Sequence, residues 1–343
     1  MKKFNVAVIG AGDMGTNHVR GWRNAGHNVV SITDYDLERA RKLAENNDYP
    51  KIYSDYKEAI NDSDVDIVSI CLPLVFHAPV TIYAAERGKH VFCEKPLAST
   101  PEDAARMEEA VNKAGVQFGI GFQRNFAKGV AAAKQWAEEG KFGKPLVFNS
   151  DLMQEVRPKI AMHDNKGNKG PIMDACCHYF FMWQTVFQSK PKRVYARGGI
   201  IAKDRPEIAH FQELAIDTGL ITVEYESGDI GSMNVSWGLA KHTKLPSNRD
   251  RVYGPKGGAV GGFNNFGSDI HIDLYIGDKH EKVVFEKEDL FETEFRVFAK
   301  AIEERKKAPV GFKQGKEMLQ LTYAIFESIK TGKVIELYSE VAK

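Results

Sequence analysis

Asp174 and His178 stand four residues apart near the middle of the chain, in the run GPIMDACCHYFFMWQTVFQ at 170–188. The run is predicted to be helical, and residues at i and i+4 lie on one helix face with Cβ atoms about 5–6 Å apart. A carboxylate and an imidazole placed in this way could act on one proton. The surrounding aromatic residues suit a buried helix, so the run alone is also compatible with a core helix that carries two satisfied polar side chains.

Lys95 is the second residue that could do chemistry. It lies between Glu94 and Pro96, directly after the short predicted strand at 90–93. Proline restricts the backbone, so a lysine in this turn would be held in a fixed place. The same three residues could also form a charged loop with a solvated lysine.

A glycine-rich turn near the N-terminus predicts a dinucleotide site. It joins a short apolar strand at 4–9 to a helix that extends to about residue 24. Gly10 would allow the tight turn, Gly12 would let the backbone approach a pyrophosphate, and Gly15 would let helix and strand pack closely. The pyrophosphate would lie at the helix N-terminus, where free N–H groups favour anions. The alternative is a turn that binds nothing. The residues assigned to this turn are Gly10, Ala11, Gly12, Asp13, Met14 and Gly15.

Asp34 ends the second predicted strand and indicates which dinucleotide binds. It lies 24 residues after Gly10, close to the spacing of about 20 that is usual for the ribose-binding acid. Its carboxylate would accept hydrogen bonds from the ribose hydroxyls and repel a 2′-phosphate. Residues 33–36 include no Arg or Lys. NAD is therefore predicted as the cofactor, with NADP disfavoured.

Strands alternate with helices up to about residue 122, which predicts a doubly wound parallel sheet in a Rossmann domain at 1–124. Ligands of such sheets bind beyond the carboxyl ends of the strands. Residues at or just past the strand ends therefore border the predicted site. Those assigned to the cofactor are Leu72, Pro73, His77, Glu94 and Lys95, and those assigned to the substrate are Arg124 and Asn125.

The remainder of the chain, 125–343, is predicted to be an α+β domain with a large, mostly antiparallel open sheet. A hairpin signal at 226–229 joins two strongly patterned strands. Strands are expected at 146–152, 193–197, 218–225, 229–237, 251–253, 271–276 and 282–286, a glycine-rich turn at 254–262, and helices at 126–140, 291–304 and 316–330.

Composition excludes several classes of protein. The chain is 43% hydrophobic and 27% charged, with a formal net charge of +1, which is typical of a soluble globular protein that has no global attraction to nucleic acid or to anionic membranes. No apolar run approaches the roughly 18–20 residues that span a bilayer, and the N-terminus does not read as a signal peptide. The four cysteines form no disulfide framework, so a reduced, cytoplasmic protein is expected.

Four motifs together resemble the Gfo/Idh/MocA family, named after glucose–fructose oxidoreductase, inositol dehydrogenase and a rhizopine catabolism protein. They are the turn at 10–15, Pro73 with His77, Glu94-Lys95-Pro96, and the run from Gly170 to His178. The similarity extends over nearly the whole chain. Family members often have Gly-Gly-Gly before the acid and small apolar residues before the histidine. Here Gly170-Pro171 and Cys176-Cys177 stand at those places, which is compatible with the chemistry and leaves the pocket shape open.

The resemblance implies a catalytic group made of Lys95, Asp174 and His178. Lys95 would lie near the nicotinamide and the substrate, in a turn with a cis Lys95–Pro96 peptide. It also implies that the free face of the second domain's sheet serves in subunit pairing, which gives a homodimer or homotetramer.

The polar loop at 154–170 could be a substrate lid or a plain exposed loop, with the lid slightly favoured. Arg157 and His163 within it are assigned to substrate binding. A zinc site made from Asp174, Cys176, Cys177 and His178 is disfavoured, because the standard ligand spacing is absent. No metal is therefore predicted.

The predicted function is NAD-dependent oxidation of a secondary hydroxyl of a sugar, sugar derivative or cyclitol to a ketone. His178 would act as general base, Lys95 would stabilise the developing negative charge, and Asp174 would orient His178 or bind a substrate hydroxyl. The alternatives are a redox-neutral enzyme that oxidises a glycoside transiently for cleavage or isomerisation, and a non-catalytic NAD-binding sensor.

Overall fold

The chain forms two compact units in this computed structural model, which describes residues 2–48, 50–157, 159–243, 245, 250–264 and 271–337. The first unit contains Met1–Gln123 and Asp289–Glu317, and the second contains Arg124–Glu288 and Met318–Lys343. We expected the second domain to run without interruption from 125 to 343. In the structure, Asp289–Glu317 instead belongs to the first unit.

Strands and helices alternate along the first 123 residues. Short 3₁₀ helices at Leu74–Phe76 and Gln123–Phe126 follow β4 and β6. The elements are β1 (Asn5–Ile9), α1 (Asp13–Asn24), β2 (Asn28–Thr33), α2 (Leu37–Glu45), β3 (Lys51–Tyr53), α3 (Tyr56–Asn61), β4 (Ile67–Ile70), α4 (His77–Ala85), β5 (His90–Glu94), α5 (Pro101–Ala114) and β6 (Phe118–Gly121).

The six strands form one parallel sheet in the order β3-β2-β1-β4-β5-β6. The order reverses between β1 and β4, and the carboxyl ends of these two strands flank the crevice where doubly wound sheets bind their ligands. The parallel Rossmann sheet predicted from the sequence is confirmed.

The rest of the chain contains the elements of the second unit, together with a helix at Leu290–Glu303 that belongs to the first unit. A 3₁₀ helix at Ile160–His163 lies within the polar loop. The elements are α6 (Lys128–Glu138), β7 (Val147–Glu155), α7 (Gly170–Asp174), α8 (Cys176–Phe187), β8 (Pro191–Gly199), β9 (Thr218–Tyr225), β10 (Ile230–Leu239), β11 (Asp250–Gly254), β12 (Gly257–Gly261), β13 (His271–Ile276) and β14 (Lys279–Val284), followed by α9 (Leu290–Glu303), α10 (Phe312–Thr331) and β15 (Ile335–Glu336).

Nine strands of the second unit form a sheet in the order β14-β13-β12-β11-β7-β10-β9-β8-β15. Among the strands that the structure describes in this sheet, only β7 and β10 pair in parallel, so the sheet is mostly antiparallel as predicted. The predicted turn at 254–262 is wrong, because Gly257–Gly261 is a strand. Glycine is needed there for close packing: a Cβ on Gly257 would lie 2.4 Å from the carbonyl oxygen of Tyr275.

Aromatic packing explains why α9 belongs to the first unit. Phe295 of α9 stacks on Trp22 of α1 with ring centroids 4.2 Å apart, and Phe298 packs edge-on against Phe92 of β5. Gly21 of α1 permits this approach, since a Cβ there would lie 2.7 Å from Phe291. Burying each of these large apolar side chains stabilises the unit by about 1.5–3 kcal/mol, which keeps α9 with the first sheet.

Across the described residues, we find no helix that combines the length and the apolar character needed to cross a membrane.

Candidate active site

The glycine-rich turn is closed by two contacts that only glycine allows. Gly10 has a positive φ of 103°, and a Cβ there would lie 2.6 Å from the carbonyl oxygen of Cys71. A Cβ on Gly15 would lie 1.9 Å from the carbonyl oxygen of Gly10. Gly12 differs, because a Cβ there would meet nothing within 4 Å. Open space at Gly12 is the feature that a closely approaching ligand would require.

Helix α1 begins beside that open space, and no side chain caps its N-terminus. The N–H groups at the start of a helix favour an anion. The carboxylate of Asp34 is bound to the same turn: Oδ2 accepts a hydrogen bond from the N–H of Ala11 at 2.8 Å, and Oδ1 accepts one from Asp36 at 3.0 Å. Each carboxylate oxygen has capacity for a further hydrogen bond. These residues fit the pyrophosphate and ribose of NAD.

Arg39 was missed in the sequence, where only residues 33–36 were considered. The first turn of α2 brings its guanidinium to 3.7 Å from Asp34 and 3.6 Å from Asp36. A cation therefore lies beside the acid that is predicted to bind ribose.

His77 connects the loops that follow β4 and β5. Its Nε2 lies 2.9 Å from the carbonyl oxygen of Leu72, and its Nδ1 lies 2.8 Å from that of Pro96. Burial lowers the pKa of His77, although both carbonyls favour the charged ring. The Lys95–Pro96 peptide is cis, as the family resemblance implied. His77 was assigned to cofactor binding, and in the structure it joins the two loops assigned to that role.

Glu94 lies at the carboxyl end of β5 and is buried. Its Oε1 lies 2.9 Å from Nε2 of His18, and its Oε2 accepts a hydrogen bond from the backbone N–H of Lys95 at 3.1 Å. Burial alone would raise the pKa of Glu94, but the hydrogen bond of His18 and the nearby charge of Lys95 hold it below its ordinary value. Glu94 is therefore ionised. His18 did not emerge from the sequence as a functional residue.

In the second unit, Asp174 and His178 lie on consecutive helices. The prediction of one continuous helix is wrong, because α7 ends at Asp174 and α8 begins at Cys176. Ala175 between them stays in the right-handed helical region, with φ −107° and ψ −38°, although its φ is more negative than the usual α-helical value. Both candidate side chains are buried, with 7% of Asp174 and 5% of His178 exposed.

Asn168 fixes the carboxylate of Asp174. Its Nδ2 donates a hydrogen bond to Oδ1 of Asp174 at 3.0 Å. The chain reverses between them through two residues of positive φ, Lys169 at 58° and Gly170 at 74°. Gly170 is required there, because a Cβ would lie 2.4 Å from the carbonyl oxygen of Ile216.

Arg124 and Asn125 both face α8. Oδ1 of Asn125 accepts a hydrogen bond from Thr185 at 3.1 Å. The side chain of Arg124 hydrogen-bonds that of Tyr179, which directly follows His178 in α8. Burial raises the pKa of the Tyr179 phenol. The structure therefore places both predicted substrate residues against the helix that carries His178.

Arg157 and His163 are held together within the polar loop. The backbone N–H of Arg157 donates to Nε2 of His163 at 3.1 Å, and its guanidinium lies 5.5 Å from the ring centroid of Trp237. His163 is buried, and burial lowers its pKa. His163 is buried although it belongs to this polar loop, and its Nε2 accepts a hydrogen bond from the loop itself.

The cysteines are free thiols, and both Cys176 and Cys177 are buried. Within the described ranges, no group of three or more His, Cys, Asp or Glu side chains is placed to hold a metal ion.

Comparison with known proteins gives matches for both units. Residues 4–122 match the GFO/IDH/MocA model of an oxidoreductase family with an NAD-binding Rossmann fold, and residues 130–260 match the GFO/IDH/MocA C-terminal domain. The chain is 28% identical to the uncharacterized oxidoreductase YrbE of Bacillus subtilis, covering 98% of this chain and 97% of the relative. It is 27% identical to myo-inositol 2-dehydrogenase of Thermotoga maritima, covering 97% and 98%. The structure of levoglucosan dehydrogenase with NADH and levoglucosan matches with a TM-score of 0.86 at 22% identity, covering 98% and 100%.

Proposed function

Because this chain belongs to the GFO/IDH/MocA oxidoreductase family, we propose that it is an NAD-dependent dehydrogenase that oxidises a secondary hydroxyl of a sugar, sugar derivative or cyclitol to a ketone. The observation that carries the proposal is the match of family models to both units. The chain-long similarity to a myo-inositol 2-dehydrogenase supports the substrate class.

The first unit would hold the cofactor. The N–H groups at the start of α1 would bind the pyrophosphate across the open space at Gly12, and Asp34 would bind the adenosine ribose. Leu72, Pro73, His77 and Glu94 would shape the nicotinamide end. When bound, NAD supplies the acceptor for the hydride.

His178 would take the proton of the substrate hydroxyl, since an ordinary imidazole titrates near pH 6.5 and can accept a proton at neutral pH. Asp174, held by Asn168, would orient the imidazole or bind a neighbouring hydroxyl. Lys95 would hold the hydroxyl oxygen and stabilise the negative charge that develops on it. A polyol presents many hydroxyls, and Arg124, Asn125, Arg157 and His163 would supply donors and acceptors for them.

The free face of the nine-stranded sheet supports the proposed homodimer or homotetramer. Tyr195, Leu220, Tyr253 and Tyr275 lie on four different strands and are all more than two-fifths exposed. The strand registers place them on one face of the sheet. Large exposed side chains gathered on one face of a sheet favour association. Light scattering after size exclusion should give a dimer or tetramer mass, and Leu220→Asp should lower that mass.

The proposed reaction is tested by NADH formation with NAD and a panel of inositols, pyranoses and glycosides. His178→Ala and Lys95→Ala should each lower kcat by about 10²–10⁴-fold, the usual contribution of acid–base groups, with NAD binding retained. Two exposed residues of the same types, His210 and Lys113, provide matched controls, and their alanine variants should keep full activity.

Full activity in both His178→Ala and Lys95→Ala would contradict the mechanism. NAD binding without NADH formation on any substrate would favour the redox-neutral enzyme or the sensor. Product analysis without added cofactor separates those two, because only the enzyme converts a glycoside.

A further inference from the structure

A connected series of buried polar side chains lies behind the Glu94-Lys95-Pro96 turn, entirely within the first unit. Nε2 of His18 lies 2.9 Å from Oε1 of Glu94, and its Nδ1 lies 2.8 Å from Oγ of Ser69. Nε1 of Trp22 donates to the same Ser69 oxygen at 2.9 Å. All four residues are at most 3% exposed.

The hydrogen bonds of this series run in one direction. Ionised Glu94 can only accept, so Nε2 of His18 must donate to it. The indole N–H of Trp22 donates to Ser69, and the hydroxyl of Ser69 can in turn donate to Nδ1 of His18. An imidazole that donates from Nε2 and accepts at Nδ1 satisfies every group of the series. Burying an ionised carboxylate without such donors would be strongly unfavourable.

The far end of the series reaches the backbone of Lys95. Oε2 of Glu94 accepts the Lys95 N–H at 3.1 Å. The carboxylate is confined on its other side, because a Cβ on Gly121 would lie 3.0 Å from Oε1 of Glu94. The Lys95 backbone is thus hydrogen-bonded to a carboxylate whose orientation His18 and Gly121 determine.

Ser69, His18 and Glu94 have the donor order of a hydrolytic Ser–His–acid triad, but the surroundings exclude that role. Ser69 is fully buried and already accepts a hydrogen bond from Trp22. The His18 ring is packed against Phe92, Phe291 and Phe295. A substrate could not reach the hydroxyl, so the series supports another group and does no chemistry itself.

We propose that His18 is a positioning residue, which acts through Glu94 to hold the backbone of Lys95 and so present the lysine in one place. This inference rests on the proposed function, in which Lys95 stabilises charge on the substrate oxygen. Misplacing such a group by about 1 Å can cost on the order of 10²-fold in rate.

The test compares His18→Ala with His18→Gln. Alanine removes the donor to Glu94, and kcat should fall on the order of 10²-fold while the Kd for NAD stays close to that of the unaltered protein. Glutamine carries an amide N–H that can donate to Glu94, so His18→Gln should recover most of the lost kcat. His27→Gln is the matched control, because His27 is also buried in this unit but accepts its hydrogen bond from Phe4. That variant should keep its kcat.

Hydrogen exchange at the Lys95 amide gives a readout that does not depend on activity. Local exchange reports how often a hydrogen bond opens. The Lys95 amide should exchange faster in His18→Ala than in His18→Gln or His27→Gln. If His18→Ala does not fold, His18→Gln is compared with His27→Gln instead. Both variants should keep kcat and the protection of the Lys95 amide. A large loss confined to His18→Gln would contradict the proposal.

The outcomes separate the two proposals. Unchanged kcat and unchanged Lys95 exchange in folded His18→Ala, with Lys95→Ala inactive, would overturn the positioning role and leave the proposed function standing. Full activity of Lys95→Ala would overturn the proposed mechanism itself. Hydrogen exchange at the Lys95 amide would still show whether His18 holds the Lys95 backbone. Equal losses of kcat and NAD binding in both His18 variants would indicate a purely structural residue and would also overturn the proposal.

Discussion

Asn168 donates a hydrogen bond to Asp174 at 3.0 Å, so the loop before α7 holds the carboxylate at the end of that helix. The contact spans only six residues, yet it requires two consecutive residues of positive φ, Lys169 and Gly170. The candidate acid therefore accepts a hydrogen bond from a loop residue that carries no charge.

Asn168→Ala should lower kcat by roughly 10- to 100-fold. Hydrogen bonds to charged groups contribute about 1.5–3 kcal/mol, and this variant removes the one that Asn168 donates to the Asp174 carboxylate. Steady-state kinetics with the substrate found in the panel would measure the change. Asn165→Ala is the control, because Asn165 is an exposed asparagine of the same loop. Equal kcat in both variants would show that Asp174 needs no such support.

Gly12→Ala should weaken NAD binding alone, whereas Gly15→Ala should weaken NAD binding and also lower the stability of the fold. A Cβ on Gly12 meets nothing within 4 Å, so this variant should unfold at the same temperature as the unaltered protein without NAD but bind NAD more weakly. A Cβ on Gly15 would lie 1.9 Å from Gly10 O, so this variant should lose both stability and binding. Calorimetry and NAD titration measure the two effects. Normal NAD binding by Gly12→Ala would place the pyrophosphate elsewhere.

Asp34→Ser should shift the cofactor preference toward NADP. The substitution removes the charge that repels a 2′-phosphate, and it leaves the Arg39 guanidinium, now 3.7 Å from Asp34, available to bind one. We expect NAD to bind roughly 10-fold more weakly, because charged hydrogen bonds to the ribose are lost, and NADP to bind more tightly. Fluorescence titration with NADH and NADPH measures both affinities. Adding Arg39→Ala should abolish the gain for NADPH; a gain that persists would mean that Arg39 takes no part.

Glu294→Gln should stabilise the protein increasingly as the pH rises. Glu294 is buried, neither of its carboxyl oxygens has a hydrogen-bond partner, and burial raises its pKa well above the ordinary value, with the negative charge of Glu94 adding to the effect. Above about pH 4.5 the unfolded chain loses this proton while the folded chain keeps it. Folding therefore loses stability with rising pH, by up to roughly 1.4 kcal/mol per pH unit.

Denaturant unfolding between pH 5 and pH 8 measures this effect. The stability difference between Glu294→Gln and the unaltered protein should be small at pH 5 and larger at pH 8. Glu109→Gln, an exposed residue of the same unit, should leave the pH dependence unchanged. A constant difference across the range would mean that Glu294 is not the group that titrates.

Features that depend on short sequence spacing could be predicted. The glycine turn, the alternation of strands and helices, and the acid at the end of β2 are each encoded within a few residues, because turn geometry and strand burial are local requirements. The parallel sheet and the mixed sheet follow from them. Asp174 and His178 were found by spacing, but the break at Ala175 was not, since the sequence there has no glycine or proline to end a helix.

Features that depend on tertiary contact could not be predicted. His18 lies in a helix whose sequence shows only an amphipathic pattern, and its partner Glu94 is 76 positions away. Arg39 is an exception, because its contact with Asp34 is local and follows from the first turn of α2. The assignment of α9 to the first unit depends on Phe295 stacking on Trp22. No local sequence pattern predicts this contact between residues so far apart in the chain.

Because α9 packs in the first unit, the core of that unit can be completed only late in synthesis on the ribosome. A nascent chain that has passed residue 123 contains all six strands of the first sheet, but the face of Trp22 that Phe295 covers remains bare. Domains commonly fold as soon as they emerge. Here the stacking of Trp22 on Phe295 can form only after residues 124–288 and then α9 have been translated. An interrupted translation product would expose its aromatic core to chaperones and proteases.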